Sequence, residues 1–509
     1  MGTNNNVKTD NAAGTADDVS GVELIRSNRL KTVAGLREKG VEPYPYKYEP
    51  THLAQALQDQ YKDLEDGTET QDGVVVAGRI MAMRNNGMFI DLMDTSGKIQ
   101  VFSHKDSMDE AAREILADLD IGDIVGAVGT IRRTPRGELS VRATQIDLLS
   151  KSLLPLPEKY HGLSDVETRY RQRYLDLIMN EESRDTLRAR SKVISLIRRY
   201  MDDMGALEVE TPILQPIMGG ASAKPFTTHH NALDSEFYLR VAPELYLKRL
   251  LVGGFAEGVY EIGRLFRNEG ISPKHNPEFT TIEGYHLYKD YNDMMDLVEN
   301  LVQFIAMELH GSTTVQYGDY EIDFSGPWKR ASMVDLVTEE TGVDFMTFKD
   351  ADAAKAAAKD LGVHIDDGAS WGKIVEEVFG EKVEHKLIQP THVLDHPMDI
   401  SPLAKTNRNN PRLVERFESF VNGWEISNAF SELNDPVVQQ ERFEAQVAER
   451  DAGDEEAQML DEDYVTSLEY GLPPTGGWGM GIDRLVMILT GSTNIRDVIC
   501  FPTLKPKAD

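Results

Sequence analysis

With one cysteine in 509 residues, Cys500, the chain has no internal disulfide framework and no zinc site built on several thiolates. Long apolar runs are missing too. None approaches the ~18 residues of a membrane span, so no membrane association is expected. Positive charge is scarce: 54 Lys and Arg stand against 85 Asp and Glu, a formal charge of −31. That balance disfavours a chain coated with nucleic acid, but net charge governs solubility and steering and leaves room for a local basic patch. The segment 1–20 has no aromatic residue. It reads as a disordered tail and not a signal peptide, which with the low cysteine count suits a cytoplasmic protein.

Two basic patches are present. Arg26, Arg29, Lys31, Arg37 and Lys39 fall in a helix expected over 22–40 and ended by Gly40, while Arg132, Arg133, Arg136 and Arg142 cluster in "TIRRTPRGELSVR". Either is also compatible with ordinary solvated surface charge. Between about 72 and 150 the pattern is of five short alternating strands, with turns such as Asn86-Gly87 and Ser96-Gly97 and one helical segment after the third strand. That order predicts an OB-fold barrel, so residues 21–150 are expected to form a first domain. A Pro-containing linker follows at 151–165. The remainder, 166–509, mixes strand-like runs and helices without regular alternation, which predicts α+β with an antiparallel sheet. Within it, Leu187, Ile194, Ile197, Met201 and Met204 recur at helical spacing before Gly205, and residues 333 to about 395 read as a helical insertion.

The second domain carries the chemistry. In "FRNEGISPKHNPEF", Arg267 and Glu269 stand two apart at the end of a strand-like run, and Phe279 follows a loop shaped by Pro273 and Pro277. A guanidinium fork can bridge a carboxylate and a phosphate, a glutamate can accept from an exocyclic amine, and a phenyl ring can stack on a base. Taken alone, the Arg–Glu pair equally fits a solvated strand. Glu283 and Tyr285 share a face of the next strand, and Asn428, Phe430 and Glu432 share one of the hairpin that turns at Asn422-Gly423. Two buried glutamates walled by aromatic rings would form an anionic slot for a compact alkylammonium, since such acids are costly to bury without a cation. Plain pairing from 421 with 424 places 420 opposite 425 and 418 opposite 427, so Glu418 and Glu425 become diagonal neighbours able to share magnesium. Strict alternation then turns Glu425 away from Asn428, so one pocket using both sets requires a β-bulge near 426–428. Finally, "GLPPTGGWGMGIDRLVMILTG" places glycines before a helix whose apolar stripe is Ile482, Leu485, Val486 and Leu489, with Arg484 off the stripe. Its glycines match neither GxGxxG nor GxxxxGK[ST].

Together these residues resemble the class II aminoacyl-tRNA synthetases, and among them the bacterial-type lysyl-tRNA synthetase family. "GALEVETPIL" resembles motif 1, with Pro212 at the dimer-interface position, "FRNEGIS" through "HNPEFT" motif 2, and "GMGIDR" motif 3. "YRQRYLDL", "PFTTHHNALD", "RVAPELYLKRL", "HPMDISPLAK" and "FSELND" point to the lysine branch. The resemblance implies a class II antiparallel sheet flanked by helices, an OB-fold that reads the anticodon, a homodimer, and ATP, L-lysine and tRNA-Lys as substrates. It implies that Arg267 holds the lysine carboxylate and α-phosphate, that Glu269, His275, Asn276, Phe279 and Glu418 surround ATP, and that Arg484 takes its phosphates. Gly220 and Glu244 would meet the α-amino group, and Glu283, Tyr285, Asn428, Phe430 and Glu432 the side chain. Glu418 and Glu425 would bind magnesium, and Arg79, Phe89, Gln100 and Glu138 the anticodon. Ala429 and Trp478 depart from the family pattern, and the turn before Phe89 is short. Aspartyl and asparaginyl synthetases share the architecture, but Glu283 and Glu432 would repel a substrate carboxylate. The related ligases that modify elongation factor P lack the barrel, and a non-catalytic paralogue would not need the ATP set.

Overall fold

The computed structural model describes residues 16–104, 106–157, 163–453 and 456–506, with side chains from 21 onward. Contacts divide the chain into two compact units, 1–163 and 164–509. In the first unit the initial helix runs Ala16–Glu38, so it begins inside the segment expected to be a tail. The rest of that tail, 1–15, lies outside the described residues. Five strands, Glu69–Arg84, Phe89–Met93, Lys98–Phe102, Ile124–Arg133 and Leu139–Ser150, close into a barrel in the order first, second, third, fifth, fourth. The expected helix, Glu110–Ala117, lies between the third and fourth. Closure depends on one parallel pairing, Gln100 to Ser140 through Phe102 to Arg142. Alternation places Val74, Val76, Ile90, Leu92, Val101, Val125, Ala127 and Val141 inside.

The second unit is built on an eight-stranded sheet. Its order is Lys329–Ser332, Thr391–Leu394, Arg416–Val421, Trp424–Ser431, Thr475–Gly481, Glu278–Leu287, Gly258–Phe266 and Leu207–Glu208. The six central strands are antiparallel, as expected, and the outermost pairing at each end is parallel. The helices Glu181–Asp203, Tyr291–His310 and Ile482–Thr490 share one core with alternate residues of this sheet, among them Tyr260, Ile282, Phe417, Ala429, Trp478 and Met480. On the first of these helices the apolar stripe is Leu187, Val193, Leu196, Ile197 and Met201. Met204, expected on it, is 47% exposed because the helix ends there at Gly205, φ 78°.

Trp478 fits this core for a local reason. Its cross-strand neighbours are Gly284 on one side and Ala429 on the other, the smallest residues available to flank an indole. A Cβ on Gly284 would lie 2.6 Å from the indole Nε1. The two departures from the family pattern, Ala429 and Trp478, are thus packing partners. The helices of the insertion, Met333–Thr341, Ala351–Asp360 and Trp371–Lys382, with Phe345 and Val383, share a second core with Val393 and Phe420 of the main sheet. It ends earlier than the expected 395, because Thr391–Leu394 is a strand of the main sheet.

Candidate active site

Residues alternating with the core set face the other side of the sheet and line a cavity of about 200 Å³. At its closed end stand Glu283 and Tyr285 from one strand, Asn428 and Phe430 from another, and Glu244 at the start of the helix Glu244–Val252. The glycines of the strand between them make the space. A Cβ on Gly477 would fall 1.8 Å from Glu432 Oε1, and one on Gly479 would lie 3.4 Å from Glu283 Cγ. Gly220, at φ 89°, passes close to Glu244, and its amide donates to the buried Gln458 Oε1 at 3.1 Å.

This end is strongly acidic and buried. Burial, then the charge of Glu244, push the Glu283 carboxyl up to about 8. Tyr285 donates its hydroxyl to Glu283 Oε2 at 3.3 Å. Glu432 does not line the cavity. It lies behind the wall, 1% exposed, with Oε2 ion-paired to Lys248 Nζ and Oε1 without a hydrogen-bond partner among the described residues. Glu244 pairs with the same ammonium. Part of the cation that these acids need is internal: Lys248, in "RVAPELYLKRL", supplies it.

The open end is formed by the loop after Phe266. The strand stops there, so Arg267 and Glu269 sit on the loop instead of alternating along a strand, yet both line the cavity. The Arg267 guanidinium lies over the Phe279 ring at 5.2 Å, and its buried Nε has no hydrogen-bond partner among the described residues. Asn276 also lines the cavity, but its amide is committed to the loop: Nδ2 donates to Glu278 O at 2.6 Å and Oδ1 accepts from Thr503 N at 3.2 Å. His275 is hydrogen-bonded to Ser272 through Nδ1 and approaches Arg484 through Nε2 at 3.3 Å. Burial, then that guanidinium, hold its pKa below the usual histidine value.

The hairpin contains the required bulge. Phe420 opposes Glu425, but Ser419 opposes Ser427 and Glu418 opposes Asn428, so Ile426 is the extra residue. The plain pairing of 418 with 427 is corrected by one position. Adding one residue reverses the side-chain parity, so Glu425 and Asn428 face the same side. Glu425 reaches the cavity and accepts from Arg484 NH1 at 3.2 Å. Glu418 stands beyond Asn428 and is not part of the cavity wall; Arg416 donates to it at 2.6 Å and to Asn428 Oδ1 at 2.9 Å. Burial, offset in part by Arg416 and increased by Glu425, pushes Glu418 up to about 8. Among the described residues no cluster of three metal-ligating side chains occurs, so any divalent cation here would need ligands from a bound substrate.

A family model described as tRNA synthetases class II (D, K and N) matches residues 165–505, and one for an OB-fold nucleic acid binding domain matches 74–149. A lysine–tRNA ligase of Sinorhizobium medicae is 51% identical over 99% of both chains. One from Carboxydothermus hydrogenoformans is 53% identical over 95% of this chain and 98% of its own length. The chain belongs to the lysine–tRNA ligase family of class II synthetases.

In this family member the barrel carries a second concave surface, a groove of about 820 Å³ that includes Phe89, Gln100 and Glu138. Phe89 is partly exposed and sits beside Phe102, ring centroids 5.2 Å apart, with Arg132 over Phe102 at 4.5 Å. Gln100 is buried and accepts from Ser140 Oγ at 2.9 Å, whereas Glu138 is exposed. Arg79 is not brought there. It lies within its long strand, opposite Met93 and Ile124, and donates to Gly122 O at 2.7 Å. Arg84, Arg132 and Arg136 line the groove instead. The basic patches are also thinner than the sequence suggested: Arg29 and Arg133 are spent on backbone carbonyls, and Arg132 and Arg142 pair with Glu69. Lys248, Arg416, Phe102 and Arg84 were missed by sequence reasoning. For Phe102 the available signal was period-two alternation from Gln100, which puts both on one face of the strand, and for Lys248 it was helical spacing from Glu244.

Proposed function

We propose that this protein joins L-lysine to tRNA-Lys through a lysyl adenylate. A lysine carboxylate oxygen attacks the α-phosphorus of ATP in line, the bond to the departing pyrophosphate breaks, and the adenylate results. The terminal ribose hydroxyl of the tRNA then attacks the acyl carbon, losing its proton as AMP leaves. No covalent enzyme intermediate is needed, and the protein's contribution is orientation and fixed charge. Arg267, which lines the cavity, offsets charge gathering between the lysine carboxylate and the α-phosphate. Phe279 offers a face to adenine, Glu269 an acceptor for its amine, and Arg484 with His275 the end of the phosphate tail, while Asn276 holds that loop in shape. Gly220 and Glu244 receive the α-ammonium; Glu283, Tyr285, Asn428, Phe430 and, behind them, Glu432 receive the side chain.

Glu418 and Glu425 fit a magnesium ion: two like-charged carboxylates, one buried and pushed up in pKa, gain from a shared cation, and magnesium commonly takes one or two carboxylates plus substrate phosphates. Bound there, it would supply positive charge to the triphosphate. The same reading includes anticodon recognition by Phe89, Gln100 and Glu138, and a homodimer formed where Leu207, Ile213 and Leu214 are 46%, 44% and 47% exposed around Pro212. No described helix is long and apolar enough to cross a membrane, and we place the activity in the cytoplasm, where charged tRNA is used.

The observation that carries the proposal is the buried acidic slot, Glu244 and Glu283 with Glu432 behind, in the cavity that Arg267 and Arg484 also line. Such a slot accepts an alkylammonium and repels the carboxylate that an aspartate-specific relative must hold. Amino-acid-dependent pyrophosphate exchange tests it. Exchange with L-lysine alone in a panel of amino acids is expected, and exchange driven by aspartate or asparagine would refute it.

A further inference from the structure

Three carboxylates, Glu244, Glu283 and Glu432, crowd the closed end of the cavity, yet L-lysine brings them only two cations, its α- and ε-ammonium groups. The third cation is in the chain. Lys248 is completely buried, and its Nζ is ion-paired to Glu244, one helical turn before it, and to Glu432, which follows the strand Trp424–Ser431. Its Nζ also lies 5.3 Å from the Phe430 ring centroid, 5.8 Å from that of Tyr285 and 6.0 Å from that of Tyr464. Phe430 and Tyr285 thus present one side to the cavity and cage a resident ammonium on the other.

We infer that Lys248 is a positioning residue for amino-acid selection, a fixed counter-ion that holds Glu432 and Glu244 and leaves the slot at two net negative charges once Glu283 has given up its proton, matched to a diammonium substrate. The inference rests on the functional reading above and deepens it. A buried ion pair kept only for stability would be expected to balance itself, since replacing such a pair with apolar groups is often neutral or stabilising. Here one base serves two acids, with Glu283 as a third nearby. That surplus is a cost in the free protein and an asset only when further cations arrive. Lys248 stays an ammonium even so: desolvation opposes its charge, and Glu244, then Glu432, outweigh it.

The charge count makes a prediction whose sign separates it from a structural role. Glu432→Gln leaves two acids and one resident base, a slot too positive for a diammonium ligand. Adding Lys248→Met removes the surplus base and returns the slot to two negative charges. Lysine and ATP KM values in pyrophosphate exchange, with thermal melting, are measured on the parent protein, both single variants and the double variant. Glu432→Gln is expected to raise lysine KM on the order of tenfold or more, the scale of one unit charge a few ångströms away at an effective dielectric near ~20, and Lys248→Met, which leaves three acids and no resident base, to lower it, with ATP KM unchanged in both. The double variant is expected to have a lower lysine KM than Glu432→Gln alone. A double variant no better than Glu432→Gln, or a Lys248→Met protein with lowered melting temperature and unchanged lysine KM, overturns the inference. If Lys248→Met alone does not fold, the comparison of Glu432→Gln with the double variant still decides it, because there the buried pair is removed together. Absence of lysine-dependent exchange in the parent refutes the functional reading itself. Exchange in the parent without recovery in the double variant refutes only the counter-ion role.

Discussion

Gly477→Ala is the sharpest steric test of the slot. The added methyl would lie 1.8 Å from Glu432 Oε1 and 2.7 and 2.8 Å from two carbons of the Tyr285 ring. Neither neighbour can withdraw easily, because Glu432 is tied to Lys248 and Tyr285 is 3% exposed within a packed cluster. Relieving the overlap requires movement of an ångström or more. Overpacking of this kind costs about 1–3 kcal/mol of stability. A carboxylate pushed out of line also loses part of its attraction for the bound ammonium, which for one unit charge a few ångströms away at an effective dielectric near ~20 is on the order of tenfold or more in lysine KM. Gly479→Ala is the control two residues away. Its methyl would meet Glu283 Cγ at 3.4 Å, an ordinary contact, so that protein should melt close to the parent. Pyrophosphate exchange at varied lysine and varied ATP, together with melting, reads both effects. A Gly477→Ala protein with the parent's lysine KM and melting temperature would show that the slot is not where the geometry places it.

The other predictions concern charge and the barrel. Glu418→Ala and Glu425→Ala should fold but lose lysine activation, with partial recovery at raised magnesium; full exchange activity of both at ordinary magnesium would remove them as ligands. Glu283, pushed up to about 8 by burial and then by Glu244, must be ionised to receive an ammonium, so kcat/KM for lysine should climb as pH rises toward about 8 and flatten in Glu283→Gln. Stability runs the other way. An unfolded glutamate ionises near ~4.3, so between there and about 8 the unfolded chain loses the proton first and the folded free protein becomes progressively less stable as pH rises, which melting against pH reads for the parent and Glu283→Gln. Phe89→Ala should leave pyrophosphate exchange intact and lower tRNA-Lys charging, by about 1–3 kcal/mol if one stacked base is lost. A well-folded variant that charges tRNA normally would end the anticodon assignment.

Much of this was legible because it depends on local rules. The barrel followed from period-two alternation, turn residues and one interrupting helix, and the central sheet from long strand-like runs without βαβ alternation. The residues that line the cavity were legible as pairs, Glu283 with Tyr285 and Asn428 with Phe430, since alternate positions on a strand share a face. The failures have physical causes. Arg79 was placed by its type, but one strand of 16 residues crosses the whole barrel, so position along the strand decides which end a side chain serves. Glu432 was read as a wall and does not line the cavity; its carboxylate takes the space that a side chain at Gly477 would fill and is ion-paired to Lys248. Arg29 was counted as surface charge and is buried on three carbonyls from elsewhere in its unit, a tertiary demand that helix periodicity does not carry.

The bulge at Ile426 shows how such a site is assembled from conflicting requirements. A regular strand offers one face to the core and one to the cavity, so acids for a metal and a polar wall for an amino acid would have to share a single parity along the hairpin. Ile426 breaks that constraint at the cost of one irregular pairing, and its own side chain, 1% exposed, is packed into the large core. Its burial anchors the irregularity, so the parity change is fixed and not free to slide. From there, Glu425 faces Arg484 at the phosphate end while Asn428 and Phe430 continue toward the acidic end. Arg416 then links Glu418 to Asn428, so the proposed magnesium ligands and the side-chain slot share one guanidinium. A substitution at Arg416 should therefore disturb the use of magnesium and of lysine together, which two independently built sites would not do.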